Sequence, residues 1–173
     1  MNTIRDILVD SQRRLSNAGI ESASTESAQL LAHVLGVLRN RLFMQDNVDE
    51  EDRIAFERLL AKRLSRIPLQ HITGTAPFRR IELNVGPGVF VPRPESELVA
   101  EAAIRFLREC QNPIAVDLCS GSGAIALSLA LEVPGAKVIG VEVSPDSFVW
   151  LEQNVKRFEC EIPVEIHQMD ATD

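Results

Sequence analysis

"VDLCSGSGAIALSLA", residues 116–130, closes a short apolar run on Asp117 and follows it with two glycines, Gly121 and Gly123, separated by one serine. An apolar run, a glycine turn and then a leucine- and alanine-rich segment predict a strand, a tight loop and a helix. Gly121, Gly123 and Ala126 fit a loose G-x-G-x-x-A pattern, which taken alone suits several nucleotide cofactors. Asp117 narrows the choice. In a dinucleotide fingerprint the helix N-terminus faces a pyrophosphate. A carboxylate four residues before Gly121 would repel that group and attract an ammonium or sulfonium.

Outward from this stretch, apolar runs alternate with helical segments: "IAVDL" (114–118), Gly123 to Glu132, "KVIGVEV" (137–143), Pro145 to Arg157 and "VEIH" (164–167). Short strands alternating with helices of this length predict a parallel sheet with right-handed crossovers. Asp117, Glu142 and Asp170 then fall at or just beyond the carboxyl ends of the three strands, the edge where open α/β sheets bind ligands. The bland alternative is that Asp117 caps a turn and the other two are ordinary exposed acids.

S-adenosylmethionine fits the acids as a set, having a sulfonium, an amino-acid end, two ribose hydroxyls and no phosphate. Glu142 can accept from both hydroxyls and Asp170 from the adenine amino group. Gly121 and Gly123 let the backbone approach the methionine end without a β-carbon in the way.

Upstream the period changes twice. Residues 1–67 carry helical spacing, with Ile4, Leu8 and Leu15, then Leu31 and Leu35, then Phe56, Leu60 and Leu64. Gly19 and Gly36 stand where C-terminal caps belong, and Pro68 is expected to end the last helix. From Phe78 the period is two, Ile81, Leu83 and Val85 alternating with Arg80, Glu82 and Asn84. "GPG" (86–88) is expected to turn this strand into "VFV" as a β-hairpin. "PRPESE" (92–97) leads into a helix over Leu98 to Leu107.

The 173-residue chain is 45% hydrophobic, with no run long enough to span a membrane and no signal-peptide layout at its start. A cytoplasmic location follows as the expectation. Three cysteines, Cys110, Cys119 and Cys160, lack paired spacing, so a disulfide framework, a zinc site or any other metal site is not expected. Each reads as a small buried hydrophobe. The formal charge of −7 is uneven, since residues 1–95 hold 13 basic and 12 acidic residues and residues 96–173 hold 5 and 13. Such a step suits two domains with different partners. Arg53, Arg58, Lys62, Arg63 and Arg66 form a basic stripe, read either as a solvated helix face or as a docking surface. His71 and Trp150 read as structural residues.

"VPRPESE" followed by "VDLCSGSGAIALSLA", with "PLQHITGTAPF" upstream, resembles the protein-(glutamine-N5) methyltransferases of the HemK type. These methylate the glutamine of the Gly-Gly-Gln motif in peptide chain release factors. The resemblance implies an α/β protein: a small N-terminal helical bundle, 1–72, for substrate recognition; a β-hairpin linker, 73–94; and, over 95–173, the first half of a doubly wound Rossmann-like S-adenosylmethionine methyltransferase domain. It implies that Cys119, Ser120, Gly121, Ser122 and Gly123 contact the methionine part of the cofactor, with Asp117 beside them. Glu142 would hold the ribose, Asp170 and Ala171 would border the adenine, and Arg93 and Glu95 would line the pocket. Three positions depart from the family's pattern: Cys119 stands for glycine, Glu142 for aspartate and Ala171 for a larger apolar residue. The first is tolerable if φ at 119 is negative.

The family's Asn-Pro-Pro-Tyr, which engages the target amide, does not occur in this sequence. The expectation is therefore a truncated form of a longer enzyme, with no assignable catalytic residue and a first strand left as an apolar edge. Two other functions stay open: methylation of a nucleic-acid amine, against which stands the lack of an aromatic-plus-basic tract, and a non-catalytic module binding the cofactor or a partner protein. The expected partner is a release factor, with neither membrane nor direct nucleic-acid contact.

Overall fold

The computed structural model describes residues 3–45 and 47–172. The chain divides after Thr73 into two compact units. In the first, α1 (Ile4–Asn17), α2 (Ala23–Val34) and α3 (Glu50–Leu64) are joined by a 3-10 turn over Arg39–Met44 and followed by the short α4 (Leu69–Thr73). Helix α1 starts where the Thr3 hydroxyl accepts from the Asp6 N–H, and α3 starts where the Asp49 carboxylate accepts from Asp52. The periodic residues make the core: Ile4, Leu15, Leu31, Phe56 and Leu60 are buried, with Leu8, Leu35 and Leu64 packed against them.

Gly19 and Gly36 follow their helices at φ 72° and 63°. Pro68 does something other than expected. Helix α3 is stopped by Arg66, at φ 70°, whose guanidinium donates to the Ala18 and Gly19 carbonyls. The Pro68 carbonyl instead accepts from His71 and Ile72, so this proline begins α4.

The second unit opens with an antiparallel hairpin, β1 (Thr75–Phe78) and β2 (Ile81–Asn84), in which Phe78 pairs with Ile81. The hairpin's turn is therefore Arg79–Arg80; "GPG" makes a separate turn, in which the Val89 N–H donates to the Gly86 carbonyl, and residues 89–91 form no strand. The hairpin does not stand apart as a linker, because Ala76, Phe78, Leu83 and Val85 are buried in the core of this unit. After α5 (Ser96–Leu107) come β3 (Ile114–Leu118), α6 (Ala124–Glu132), β4 (Lys137–Glu142), α7 (Pro145–Arg157) and β5 (Glu165–Gln168).

The sheet is parallel in the order β3-β4-β5, with Asp117 beside Gly140 and Glu142 beside Gln168. Both crossovers step the same way across the sheet, and right-handed crossovers that do so place α6 and α7 on one face. That is the arrangement of the first half of a doubly wound, Rossmann-like sheet. Helix α6 is buried nearly all round, as its run of alanine, isoleucine, leucine and serine before Glu132 requires. No helix among the described residues is long and apolar enough to cross a membrane.

Candidate functional site

The loop from Leu118 to Ala124 is built backbone-first. Ser120 donates from its N–H to the Val141 carbonyl (2.9 Å) and from its hydroxyl to the Asp117 carbonyl (2.8 Å), which folds the chain tightly off β3. A β-carbon on Gly140 of β4 would stand 3.0 Å from the Ser120 hydroxyl, so the strand is kept bare where the loop crosses it. Gly121 and Gly123 lie at φ 56° and 83°, in the region that favours glycine. A β-carbon on Gly123 would come within 2.8 Å of Leu151, whereas one on Gly121 would meet only Val89, at 3.9 Å. The loop is thus closed on its helix side and open at Gly121.

The acids converge on this loop. Asp117 Oδ2 accepts from the Ala126 N–H at 3.0 Å, so a residue outside α6 caps its first turn. Burial pushes the Asp117 carboxyl above the ordinary aspartate range; the Ala126 bond and the Ser120 hydroxyl pull it back, and the Glu142 charge adds to the rise. Glu142 is buried at the end of β4. Its Oε2 accepts from the Gly121 N–H (2.8 Å) and its Oε1 from the Ser144 N–H (2.9 Å). Both oxygens are already engaged, which the sequence did not reveal; a carboxylate has about four acceptor directions, so each keeps one to spare.

Asp170 and Ala171 are exposed just beyond β5, with Asp170 Oδ1 accepting from the Thr172 N–H and hydroxyl at 2.9 and 2.8 Å. Those bonds hold its carboxyl below the usual range. Arg93 and Glu95 are exposed before α5, and among the described residues neither side chain bonds to the loop. Asp117, the loop and Glu142 therefore form one hydrogen-bonded cluster, with Asp170 further along the same strand edge. Sequence reasoning missed Asn154, whose amide donates to the Ser122 carbonyl at 2.9 Å. A lone asparagine in an amphipathic helix carries no signal that its side chain points inward.

The cysteines are free, and none is buried: Cys119 is exposed, Cys110 and Cys160 half-buried. Of the basic stripe, Arg53 pairs with Glu50 and Arg63 with Glu26, and Arg66 caps α1. Arg58 and Lys62 remain, lining a groove of about 750 Å³ with His33, Ala55, Leu59 and the acids Glu51 and Asp52.

Residues 6–74 match the family model of the PrmC N-terminal domain. Over 99% of its length the chain is 43% identical to the release factor glutamine methyltransferase of Streptomyces coelicolor, of which it covers 59%. It is 42% identical, over 92% of its length, to the enzyme of the same description from Bifidobacterium longum, of which it covers 57%. The chain is a relative of the release factor glutamine methyltransferases. It spans less than two thirds of the length of these two relatives. Among solved structures, the S-adenosylmethionine-dependent methyltransferase from Agrobacterium tumefaciens is 22% identical, with a TM-score of 0.46 over 56% of this chain and 32% of that one.

Of the departures that the resemblance implies, Cys119 is the one with a backbone cost. Its φ is 61°, not negative as an easy replacement of glycine would require. Left-handed backbone costs a residue with a β-carbon about 1–2 kcal/mol. Glu142, the longer acid, spends its reach on the Gly121 and Ser144 N–H groups.

Proposed function

We propose that this chain carries the helical domain and the cofactor half-site of an S-adenosylmethionine-dependent methyltransferase whose target is a glutamine side-chain amide in a peptide chain release factor. The observation that supports this reading is the continuous match to the relatives, which runs through the helical unit and through the acid-lined loop alike. The loop's chemistry fits a cation with hydroxyls: two carboxylates, an approach at Gly121 free of any β-carbon, and spare acceptor directions on Glu142.

Bound there, S-adenosylmethionine would supply a methyl group activated by its sulfonium. Asp117 would hold the positive end, its carboxylate already fixed by the Ala126 N–H. Glu142 would accept from the ribose hydroxyls while keeping Gly121 in place, and Asp170 and Ala171 would border the adenine. Arg93 and Glu95 would line the entrance. Orientation matters because an amide nitrogen is a weak nucleophile, and alignment of donor and acceptor supplies much of the rate. The residues that would engage the amide are not assigned in this sequence, so donor binding is the property to test.

Calorimetry of the 173-residue chain with S-adenosylmethionine is expected to show saturable binding, weakened at least about tenfold, or about 1.4 kcal/mol, by Asp117→Asn. Binding of a nicotinamide dinucleotide in its place would overturn the reading. Assay of a purified release factor as methyl acceptor, with RNA as the comparison, tests the substrate.

A further inference from the structure

Helix α7 carries a polar stripe along the face it turns toward the chain leaving the hairpin. Ser147 donates from its hydroxyl to the Gly88 carbonyl (2.8 Å), Trp150 from its indole N–H to Pro87 (3.0 Å), Asn154 from its amide to Asn84 (2.9 Å) and Arg157 to Glu82 (3.0 Å). The spacing of three, four and three residues keeps all four donors on one helical face. As α7 runs forward its partners step backward from 88 to 82, so the helix grips this segment antiparallel, carbonyl by carbonyl.

Asn154 differs from the other three. It is fully buried, its Oδ1 accepts from the Asn84 N–H (2.8 Å), and its Nδ2 donates both to the Asn84 carbonyl (2.9 Å) and to the Ser122 carbonyl (2.9 Å). One neutral amide thus clasps both polar groups of the Asn84 backbone and one carbonyl of the glycine loop. Only an amide offers one acceptor and two donors from so short a side chain. A shorter hydroxyl would fall short of a partner, and a carboxylate would face two carbonyls.

We propose that Asn154 is a positioning residue for the cofactor loop, setting the Ser122 peptide so that the flanking Gly121 and Gly123 N–H groups stay aimed, and tying that setting to the β2 end of the hairpin. The inference rests on the cofactor reading above. The Ser122 peptide lies between the two glycines, whose N–H groups bond to Glu142 Oε2 and the Ser120 carbonyl. Glycine loops are soft, so their aim must come from a neighbour. Leu151, one turn earlier on α7, fills the space where a β-carbon on Gly123 would stand, its Cδ1 2.8 Å from that position, which limits how far the loop can slide toward the helix.

The test compares Asn154→Asp, which keeps an acceptor and leaves at most one O–H, when protonated, in place of the two amide donors, with Arg157→Gln, which removes a rung that never touches the loop. The full chain is used, with S-adenosylmethionine as ligand. Asn154→Asp is expected to raise the cofactor Kd tenfold or more, and to speed amide exchange at Gly121 and Gly123 by a similar factor in ligand-free protein. Arg157→Gln is expected to leave both within twofold while loosening the hairpin amides. Equal effects of the two variants on Kd and on loop exchange, or no effect of Asn154→Asp on either, would overturn the proposal. Should Asn154→Asp fail to fold, Asn154→Ser gives the same comparison. If the unaltered chain binds no S-adenosylmethionine, the cofactor reading fails, and the exchange measurement still decides the role of Asn154.

Discussion

At the scale of single residues, the site carries a strain that a substitution can release. Cys119 holds a left-handed backbone with an exposed side chain that repays little of the cost. Cys119→Gly is expected to raise unfolding stability by about 1 kcal/mol, read from the midpoint of a urea titration at unchanged slope; an unchanged or lower midpoint would count against the strain. The acid pattern was legible in the sequence because Asp117, Glu142 and Asp170 each lie at or just beyond the end of an expected strand, and strand ends map onto one sheet edge. The engagement of Glu142 with Gly121 was not, since it depends on how far the loop folds back over β4. Nor was the αL backbone at Cys119, where neither the residue type nor its neighbours announce the conformation.

At the scale of elements, the hairpin shows that a turn signal need not mark a hairpin. "GPG" does turn the chain, the Val89 N–H donating to the Gly86 carbonyl (3.4 Å) with Gly88 at φ 91°, but no second strand follows it. The same glycines allow close approach to α7: a β-carbon on Gly86 would stand 2.4 Å from the Trp150 ring, and one on Gly88 2.6 Å from the Asp146 β-carbon. The hairpin's own turn, Arg79–Arg80, carries no turn signal and is held by long-range pairs. Arg79 donates to Glu132 on α6 at 2.6 and 2.9 Å and to Glu101 on α5 at 2.8 Å. These bonds hold the Glu132 carboxyl below the usual glutamate range.

A depressed acid stabilises the fold above its unfolded pKa, about 4.3, and that stability is lost as pH falls through the lowered folded value. Glu132→Gln is expected to cost about 2 kcal/mol near neutral pH, the scale of hydrogen bonds to a charged group. The gap from the unaltered chain should close in acid. Melting both proteins from pH 7 down to pH 3 checks this, and a gap independent of pH would show that the pair is not what anchors the turn.

At the scale of the whole molecule, the sheet presents a bare flank. Strand β3 lies at its edge, and Ile114, Val116 and Leu118 are 62%, 56% and 56% exposed on one face of it. An apolar edge with open backbone hydrogen-bonding groups invites pairing between chains. The 173-residue chain is expected to self-associate as its concentration rises, and Val116→Lys to restore monomer with little change in melting temperature, both read by light scattering during size-exclusion chromatography. A chain already monodisperse at high micromolar concentration would contradict this.

The sequence by itself determined the alternation of strand and helix from Ile114 to Gln168, the helical first unit and the acids at the strand ends, because periodicity and local capping are short-range properties. Tertiary structure alone decided the rest. It placed the hairpin turn at two arginines, spent both oxygens of Glu142 on backbone, and turned Asn154 inward to hold the glycine loop. Each of these joins residues that lie between 2 and 70 apart in the chain, and for the distant ones the deciding energy is a hydrogen bond formed only after the elements have packed. The opening stretch shows the division: its strand, loop and helix follow from residues 116–130, while the setting of its glycines depends on Glu142, Leu151 and Asn154.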